Sequence, residues 1–199
     1  MGGQPPYPRV NLRDFPRELL VDSCVVIGWL KSGATLDSNC PVSRVDTASQ
    51  AVLNAVLRDL ENGRFTLRYS AIVEAECWPA YPNSRDRATM HGLFSTMRRE
   101  PLDSDTCRRG AVFARLIRDR IRTARGEQAK KLFKYDSAMN EWLPDRKLAD
   151  GLIAAAAVRV VEHEQMPVAI LTADQDYGFL SEALRQKDVR LIHVCDVDF

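Results

Sequence analysis

Short apolar runs alternate with amphipathic stretches along most of the chain. The run at 19–27 is rich in β-branched residues and contains one acid, Asp22, which predicts a buried strand that leads into a turn and a helix. Similar patterns predict strands at 64–69, 168–171 and 190–194, and helices at 47–62, 84–99, 104–125 and 150–161. Another helix follows Ser70, which can serve as its N-cap. Strands that alternate with helices favour a single α/β domain whose parallel sheet is covered on both faces.

The chain divides into an extension and one domain. We interpret residues 1–18 as an N-terminal extension and residues 19–199 as the domain, with a helical or looped insertion at about 118–147. The extension is rich in Gly, Pro and Arg and lacks the apolar segment of a secretory signal. Apolar runs elsewhere break within about ten residues, whereas a membrane span needs roughly 20. We therefore expect a cytoplasmic protein that does not enter the membrane.

The cysteines agree with that location. Cys24, Cys40, Cys77, Cys107 and Cys195 are odd in number, widely scattered and without a C-x-x-C pair. This distribution argues against a disulfide framework and against a zinc knuckle. Reduced thiols in a cytosolic protein are the simplest interpretation.

The net charge of +1 conceals a division along the chain. Residues 1–97 carry 10 basic and 10 acidic side chains, residues 98–134 carry 12 and 5, and residues 135–199 carry 6 and 12. A basic middle beside an acidic end suits a protein that brings a polyanion to a metal site, although two solvated helix faces of opposite charge explain it equally well. The arginines and aromatic side chains predicted to guide RNA include Arg108 and Arg109, and Arg64, Arg68 and Tyr69.

Four carboxylates are predicted where strands end or helices begin: Asp22, Glu76, Asp150 and Asp174. The carboxyl ends of parallel strands share one edge of a sheet, so these acids are expected to meet there. Taken alone, Asp150 is more simply explained as a helix-capping acid and Asp174 as a turn residue. Together they repel one another unless a cation lies among them, and carboxylate oxygens suit Mg²⁺ or Mn²⁺. Such a site can activate a water molecule for attack on a phosphodiester.

Four segments resemble the motifs of the PIN-domain family of ribonucleases. They are residues 20–27 (Leu-Val-Asp-Ser-Cys-Val-Val-Ile), 70–76 (Ser-Ala-Ile-Val-Glu-Ala-Glu), 148–157 (Leu-Ala-Asp-Gly-Leu-Ile-Ala-Ala-Ala-Ala) and 171–177 (Leu-Thr-Ala-Asp-Gln-Asp-Tyr). The third is the most specific, and the six-residue offset from Ser70 selects Glu76 over Glu74. The resemblance covers about residues 19–195. It implies a PIN-like three-layer α/β/α sandwich with a central parallel sheet.

The resemblance also implies an activity and partners. The activity is that of a Mg²⁺- or Mn²⁺-dependent endoribonuclease, with kinship to the VapC toxins of bacterial toxin–antitoxin pairs; a homodimer and a small antitoxin protein follow from that kinship. The implied site consists of four metal ligands, an accessory acid and two substrate-binding hydroxyls: Asp22, Glu76, Asp150 and Asp174, then Asp176, then Ser23 and Thr172. This chain is longer than the compact toxins, and Cys24 and Gly151 replace the residues most often seen beside the first and third acids.

Other classes of protein fit less well. A haloacid-dehalogenase-like phosphatase needs a second Asp two residues after the first, where this chain has Cys24. A dinucleotide-binding fold needs a Gly-rich turn after its first strand, and residues 23–26 contain no glycine. No His has an evident Ser or Cys nucleophile beside it. The main alternative is a non-catalytic PIN-like module that binds RNA or a protein, which a complete set of acids argues against.

Overall fold

The computed structural model describes residues 7–33, 42–80, 84–125 and 146–199. Most of the predicted insertion and part of the loop after the first helix lie outside these ranges. Within them, no helix combines the length and the apolar character that a membrane crossing requires.

The described residues form seven strands and seven helices. The strands are β1 (Val10–Asn11), β2 (Glu18–Val21), β3 (Thr66–Ser70), β4 (Arg98–Glu100), β5 (Val168–Thr172), β6 (Val189–His193) and β7 (Val197–Asp198). The helices are α1 (Ser23–Gly33), α2 (Arg44–Leu60), α3 (Ala71–Ala80), α4 (Ser84–Ser95), α5 (Ser104–Arg125), α6 (Arg146–Glu164) and α7 (Ser181–Arg185).

The central sheet is parallel throughout, in the order β4-β3-β2-β5-β6. From β2 to β4, each successive strand is added at one edge of the sheet. The chain then crosses to the other side of β2, where β5 and β6 are added. Because such crossovers are right-handed, α1–α4 cover one face and α5–α7 the other. The prediction of a three-layer α/β/α sandwich with a central parallel sheet is confirmed. The reversal of direction leaves a crevice at the carboxyl ends of β2 and β5, which is where α/β sheets bind ligands.

Helix α6 is the most buried helix, as its apolar sequence predicts. Residues 151–158 are all buried, and the helix packs on β3, β5 and β6. Its start was predicted at Asp150, but the helix begins one turn earlier, at Arg146. Lys147 and Asp150 therefore both belong to the helix. Side chains three residues apart on a helix lie on the same face and can contact each other.

Other element boundaries also differ from the prediction. The predicted helix at 84–99 ends at Ser95, and β4 then pairs with β3 in parallel register. A three-residue strand formed by Arg-Arg-Glu has no apolar alternation by which to identify it. Ser70 is the last residue of β3, and its buried hydroxyl has no hydrogen-bond partner among the described residues, so it does not cap α3.

The described part of the N-terminal extension packs against the domain. β1 pairs in parallel with β7 near the C-terminus, with Val10 opposite Val197. Phe15 is buried in the main core. These contacts tie both ends of the described chain to the same side of the fold.

Arg68 lies inside the protein and cannot guide RNA as predicted. Its guanidinium donates to carboxylates of Glu18, Glu100 and Glu164, each at 2.6 Å. Arg68 and Tyr69 are only 4% and 6% exposed. The prediction was wrong because alternation along β3 does not reveal that three carboxylates from other elements surround the arginine.

Candidate active site

The carboxyl ends of β2 and β5 place Asp22 and Asp174 beside each other. The last residue of β2 pairs with Leu171, and the backbone N–H of Asp22 donates to the carbonyl of Leu171 at 3.0 Å. Thr172 Oγ1 donates to Asp22 Oδ2 at 2.7 Å and accepts from the backbone N–H of Asp174 at 3.0 Å. The two hydrogen bonds of Thr172 therefore connect the ends of the two strands.

Asp22 is buried and held by three side-chain donors. Besides Thr172, the thiol of Cys24 donates to Asp22 Oδ2 at 2.8 Å, and Ser23 Oγ donates to Oδ1 at 3.3 Å. Burial raises the pKa of Asp22, whereas the hydrogen bonds from Cys24 and Thr172 oppose that shift. A carboxylate fixed on both oxygens keeps its orientation, which a ligand to a cation requires.

Cys24 is a site residue that the sequence analysis treated only as a departure from the motif. Its Sγ also accepts a hydrogen bond from the backbone N–H of Ala173 at 3.1 Å. Burial, followed by the charge of Asp22, raises the pKa of the thiol well above its usual value. The thiol therefore stays protonated and acts as a donor to Asp22. Its position two residues after Asp22, in the first turn of α1, was the available signal.

Glu76, and not Glu74, faces the site, as the motif offset predicts. The carboxylate of Glu74 is paired with Arg99 at 3.2 Å on the other side of α3. Glu76 accepts a hydrogen bond from the side chain of Ser23 and feels the charge of Asp22. Desolvation raises the pKa of Glu76, and the bond from Ser23 opposes the shift. Ser23 thus links the first and second motifs.

Asp150 projects from the second turn of α6 toward the same place. It is buried, and desolvation, opposed by Lys147 and reinforced by the negative charges of Asp22 and Asp174, raises its pKa to about 7. Burial is the largest cause of this shift, and the neighbouring negative charges add to it. We call the cluster of Asp22, Glu76, Asp150, Asp174 and Asp176 the acidic pocket.

Lys147 places its ammonium inside the acidic pocket. Its Nζ lies 2.9 Å from Asp150 Oδ2, 3.1 Å from Asp174 Oδ2 and 2.9 Å from Asp176 Oδ2. The side chain is 16% exposed. The sequence pattern does not indicate Lys147, because the predicted helix begins after this residue.

Asp174 has a structural role as well as its place in the pocket. Its Oδ1 accepts from the backbone N–H of Asp176 at 2.8 Å and so caps the 3₁₀ helix Gln175–Leu180. The turn interpretation of Asp174 and its membership of the cluster are therefore both correct, since each uses a different carboxylate oxygen.

Two tyrosines border the acidic pocket. Tyr177 is fully buried, and its hydroxyl has no hydrogen-bond partner among the described residues. Burial raises its pKa, with contributions from the charges of Asp22 and Asp150. Tyr7 hydrogen-bonds to the carbonyl of Asp174 at 3.2 Å and stacks on His193. The N-terminal segment thus reaches the rim of the site.

Two glycines bring α5 and α6 together directly beside Asp150. A Cβ added at Gly151 would lie 2.2 Å from the carbonyl oxygen of Gly110 and 2.7 Å from the backbone nitrogen of Ala114. No side chain fits there without separating the helices. The glycine that departs from the usual third motif is therefore required by packing.

The structure does not bring Arg108 and Arg109 to the acidic pocket. Arg108 pairs with Asp105 at 3.6 Å, and Arg109 pairs with Asp105 at 2.7 Å and with Glu162 at 2.6 Å. Glu162 is about 18 Å along α6 from Asp150, at 1.5 Å per residue. Arg120 lies nearer, since its guanidinium donates to the carbonyl of Phe179 in the 3₁₀ helix that contains Asp176. Substrate binding by Arg108, Arg109, Ser23 and Thr172 stays a prediction.

The chemistry of the acidic pocket suits a hard divalent cation, although its present geometry is closed around Lys147. Within the described ranges, no three His, Cys, Asp or Glu side chains are arranged to hold a metal ion. The oxygen donors are nevertheless of the type that Mg²⁺ and Mn²⁺ prefer. Asp22, Glu76, Asp150 and Asp174 are the residues that would hold such an ion.

Comparisons with known proteins give structural similarities only. No protein-family model matches the sequence, and no curated protein matches it. VapBC2 from Rickettsia felis, bound to a DNA fragment from its promoter, is similar with a TM-score of 0.46 and 13% identity over 88% of this chain and 98% of that chain.

Two further structures come from the same class of system. VapBC-5 from Mycobacterium tuberculosis, a member of the VapBC family of toxin–antitoxin systems, has a TM-score of 0.44 and 18% identity, covering 89% of this chain and 99% of that one. DNA-bound VapBC from Salmonella typhimurium has a TM-score of 0.43 and 16% identity, covering 89% and 98%. Because these values are low, function is inferred from the site itself.

Proposed function

We propose that this chain is a divalent-metal-dependent endoribonuclease that hydrolyses RNA phosphodiester bonds at the acidic pocket. The observation that supports this most is the unbalanced charge there. Five carboxylates from four separate segments converge at the ligand-binding edge of the sheet, against the ammonium of Lys147. The pKa of Asp150 is raised to about 7, first by burial and then by the charges of Asp22 and Asp174. A divalent cation relieves this repulsion.

The protein's own residues prepare the site for that chemistry. Thr172, Cys24 and Ser23 hold the Asp22 carboxylate, and Ser23 also holds Glu76. Glu76 is exposed at the pocket mouth, and its raised pKa suits it to accept a proton from an attacking water molecule. When bound, Mg²⁺ or Mn²⁺ supplies a water of lowered pKa and stabilises charge on the phosphate.

RNA as the substrate is supported by the motif resemblance and by the charge of α5. Arg115 and Arg120 are exposed on the half of this helix that lies toward the 3₁₀ helix of the site. Arginines on such a surface bind backbone phosphates irrespective of base sequence. We therefore expect cleavage of single-stranded RNA with affinity that falls steeply as salt increases.

The ends of the product test the proposed reaction. Attack by water leaves no 2′,3′-cyclic phosphate, whereas attack by the ribose 2′-hydroxyl produces one. Purified protein with Mn²⁺ should therefore cut an end-labelled RNA to linear phosphate and hydroxyl ends, and EDTA should stop the reaction. Cyclic phosphate ends, or equal cleavage in EDTA, would contradict the proposed chemistry.

The toxin role is a further step of the same proposal, supported by the motif resemblance to VapC proteins. Expression of the wild-type chain should arrest bacterial growth, and expression of Asp150→Asn to the same level should not. A small antitoxin that binds the chain should restore growth. Normal growth with a wild-type protein that cleaves RNA in vitro would remove the toxin role and leave the nuclease.

A non-catalytic RNA- or protein-binding module is favoured by one observation, the ammonium of Lys147 among three carboxylates. Three carboxylates that share one ammonium in this way can persist without a metal ion. This alternative predicts RNA binding without any metal-dependent product. The cleavage assay above distinguishes the two functions.

A further inference from the structure

Lys147 occupies the place in the acidic pocket from which a divalent cation would contact Asp150 and Asp174. Its ammonium lies 2.9 Å and 3.1 Å from the Oδ2 atoms of these two residues. The third contact, to Asp176 Oδ2 at 2.9 Å, completes a triangle of oxygens around the nitrogen. Two of the three predicted metal-binding aspartates thus direct one oxygen at a cation that the chain itself supplies.

From this geometry we infer that Lys147 is a tethered cation, which fills the acidic pocket when no metal is bound and competes with the divalent ion for Asp150 and Asp174. This inference rests on the proposed metal-dependent function and adds a form of regulation to it. The site then becomes loaded only when the divalent ion is concentrated enough to displace the ammonium.

The side chain is suited to this role. A lysine ammonium is a compact charge on a flexible four-carbon stem, so it can enter and leave without movement of the helix. Lys147 lies in the first turn of α6, one turn before Asp150, and its position on the helix does not change when the ammonium withdraws. A single charge held at three carboxylates is also weaker than a dication at the same oxygens.

An observation independent of the acids supports a ligand at this place. The Tyr177 hydroxyl is completely buried and lacks a partner in the described part of the chain, and Tyr177 belongs to the 3₁₀ helix that Asp174 caps. A buried hydroxyl without a partner costs free energy in the metal-free state. A water molecule bound to a divalent ion would accept a hydrogen bond from this hydroxyl. The ammonium of Lys147 can donate hydrogen bonds but cannot accept one.

The test is Mn²⁺ binding by the full-length protein, measured from the electron paramagnetic resonance signal of free Mn²⁺. Lys147→Met removes the charge and keeps the length of the side chain, and Lys147→Arg keeps the charge as a matched control. Lys147→Met should lower the Kd for Mn²⁺ by about tenfold or more. The repulsion between an ammonium and a dication at this distance is large enough to change the Kd by more than about tenfold. Lys147→Arg should stay within about threefold of wild type. Lys147→Gln replaces Lys147→Met if circular dichroism shows that the latter is unfolded.

Each outcome decides the inference. Tighter binding by Lys147→Met, or binding by Lys147→Met where wild type binds none, supports it. Equal or weaker binding than wild type, or no binding by either protein, overturns it. Cleavage of RNA by the wild-type protein in Mn²⁺ is scored separately. Cleavage with unchanged affinity in Lys147→Met removes only the tethered cation, and tighter binding without any cleavage removes only the nuclease.

Discussion

The ionised form of the Asp150 carboxyl is unfavourable in the folded protein, first because the carboxyl is buried and second because Asp22 and Asp174 are negatively charged. Its pKa is raised from 3.8 to about 7, so between these values the native state keeps a proton that the unfolded state loses. A native state that binds more protons loses stability as the pH rises through that window. Above about pH 7 the carboxyl is ionised in both states, and the full penalty persists.

Asp150→Asn should therefore stabilise the metal-free protein in a pH-dependent way. The gain should increase from pH 4 to pH 7 and reach at most about 4 kcal/mol, since one pKa unit corresponds to about 1.4 kcal/mol. Urea unfolding of both proteins in EDTA at several pH values measures it. A gain that is the same at pH 4 and pH 8 would show that repulsion around Asp150 is not its cause.

Tyr177→Phe tests the buried hydroxyl. Removing a buried polar atom that has no partner should raise the free energy of unfolding in EDTA by about 1 kcal/mol, because its desolvation is no longer unfavourable. Thermal unfolding of the two proteins, followed by circular dichroism, measures the change. A loss of more than about 1 kcal/mol would indicate that the hydroxyl has a partner in the folded protein.

The helices show how far a sequence pattern determines an element. The apolar sequence of α6 predicts a buried helix, whereas α2 begins at Arg44, three residues before its predicted start, because Ser43 and Asp46 form a capping box. The first turn of α6 begins with two charged residues, Arg146 and Lys147. No apolar periodicity therefore marks the beginning of this helix in the sequence. Lys147 escaped the sequence analysis for that reason. The role of Gly151 also depends on a second helix, which a local pattern does not contain.

Gly151→Ala should disturb the seat of Asp150. A methyl group at this position meets the backbone of Gly110 and Ala114, so α5 and α6 must separate at an expected cost of about 1–3 kcal/mol. Gly92→Ala, in the exposed part of α4 with nothing within 4 Å of its added Cβ, is the control. It should be neutral or stabilise by up to about 1 kcal/mol. Equal effects of the two substitutions in chemical unfolding would contradict the close packing.

For the molecule as a whole, the alternation of strands and helices was sufficient to predict the layers and the edge at which the acids meet. Asp22 and Asp174 could be found because strand ends are local features, Asp150 because it precedes a long apolar run, and Glu76 because the motif offset selects it over Glu74. The partners of these residues, such as Cys24 with Ala173, come from distant segments and appear only in three dimensions. Arg68 shows the opposite kind of error. A basic residue that the sequence suggests is exposed lies buried among three carboxylates.

Arg68→Met should destabilise the whole molecule. Its guanidinium connects β2, β4 and the end of α6, and removing it leaves Glu18 and Glu100 buried without their main partner. Loss of one partner in a buried charge network costs about 3–5 kcal/mol. Arg185→Met, which breaks an ion pair of a 75% exposed arginine, should change the unfolding free energy by less than about 1 kcal/mol. Similar denaturation midpoints for the two variants would argue against the buried network.

The central claim is that the acidic pocket hydrolyses RNA with a divalent ion. It is tested most directly by incubating purified wild-type protein and Asp22→Asn with labelled RNA in Mg²⁺ or Mn²⁺. Asparagine can still accept the hydrogen bonds of Thr172 and Cys24, so the fold should persist. We expect metal-dependent cleavage by the wild-type protein and a cleavage rate at least about a hundredfold lower in Asp22→Asn. A loss of this size is typical when a catalytic group is removed. Equal cleavage by the two proteins would contradict it.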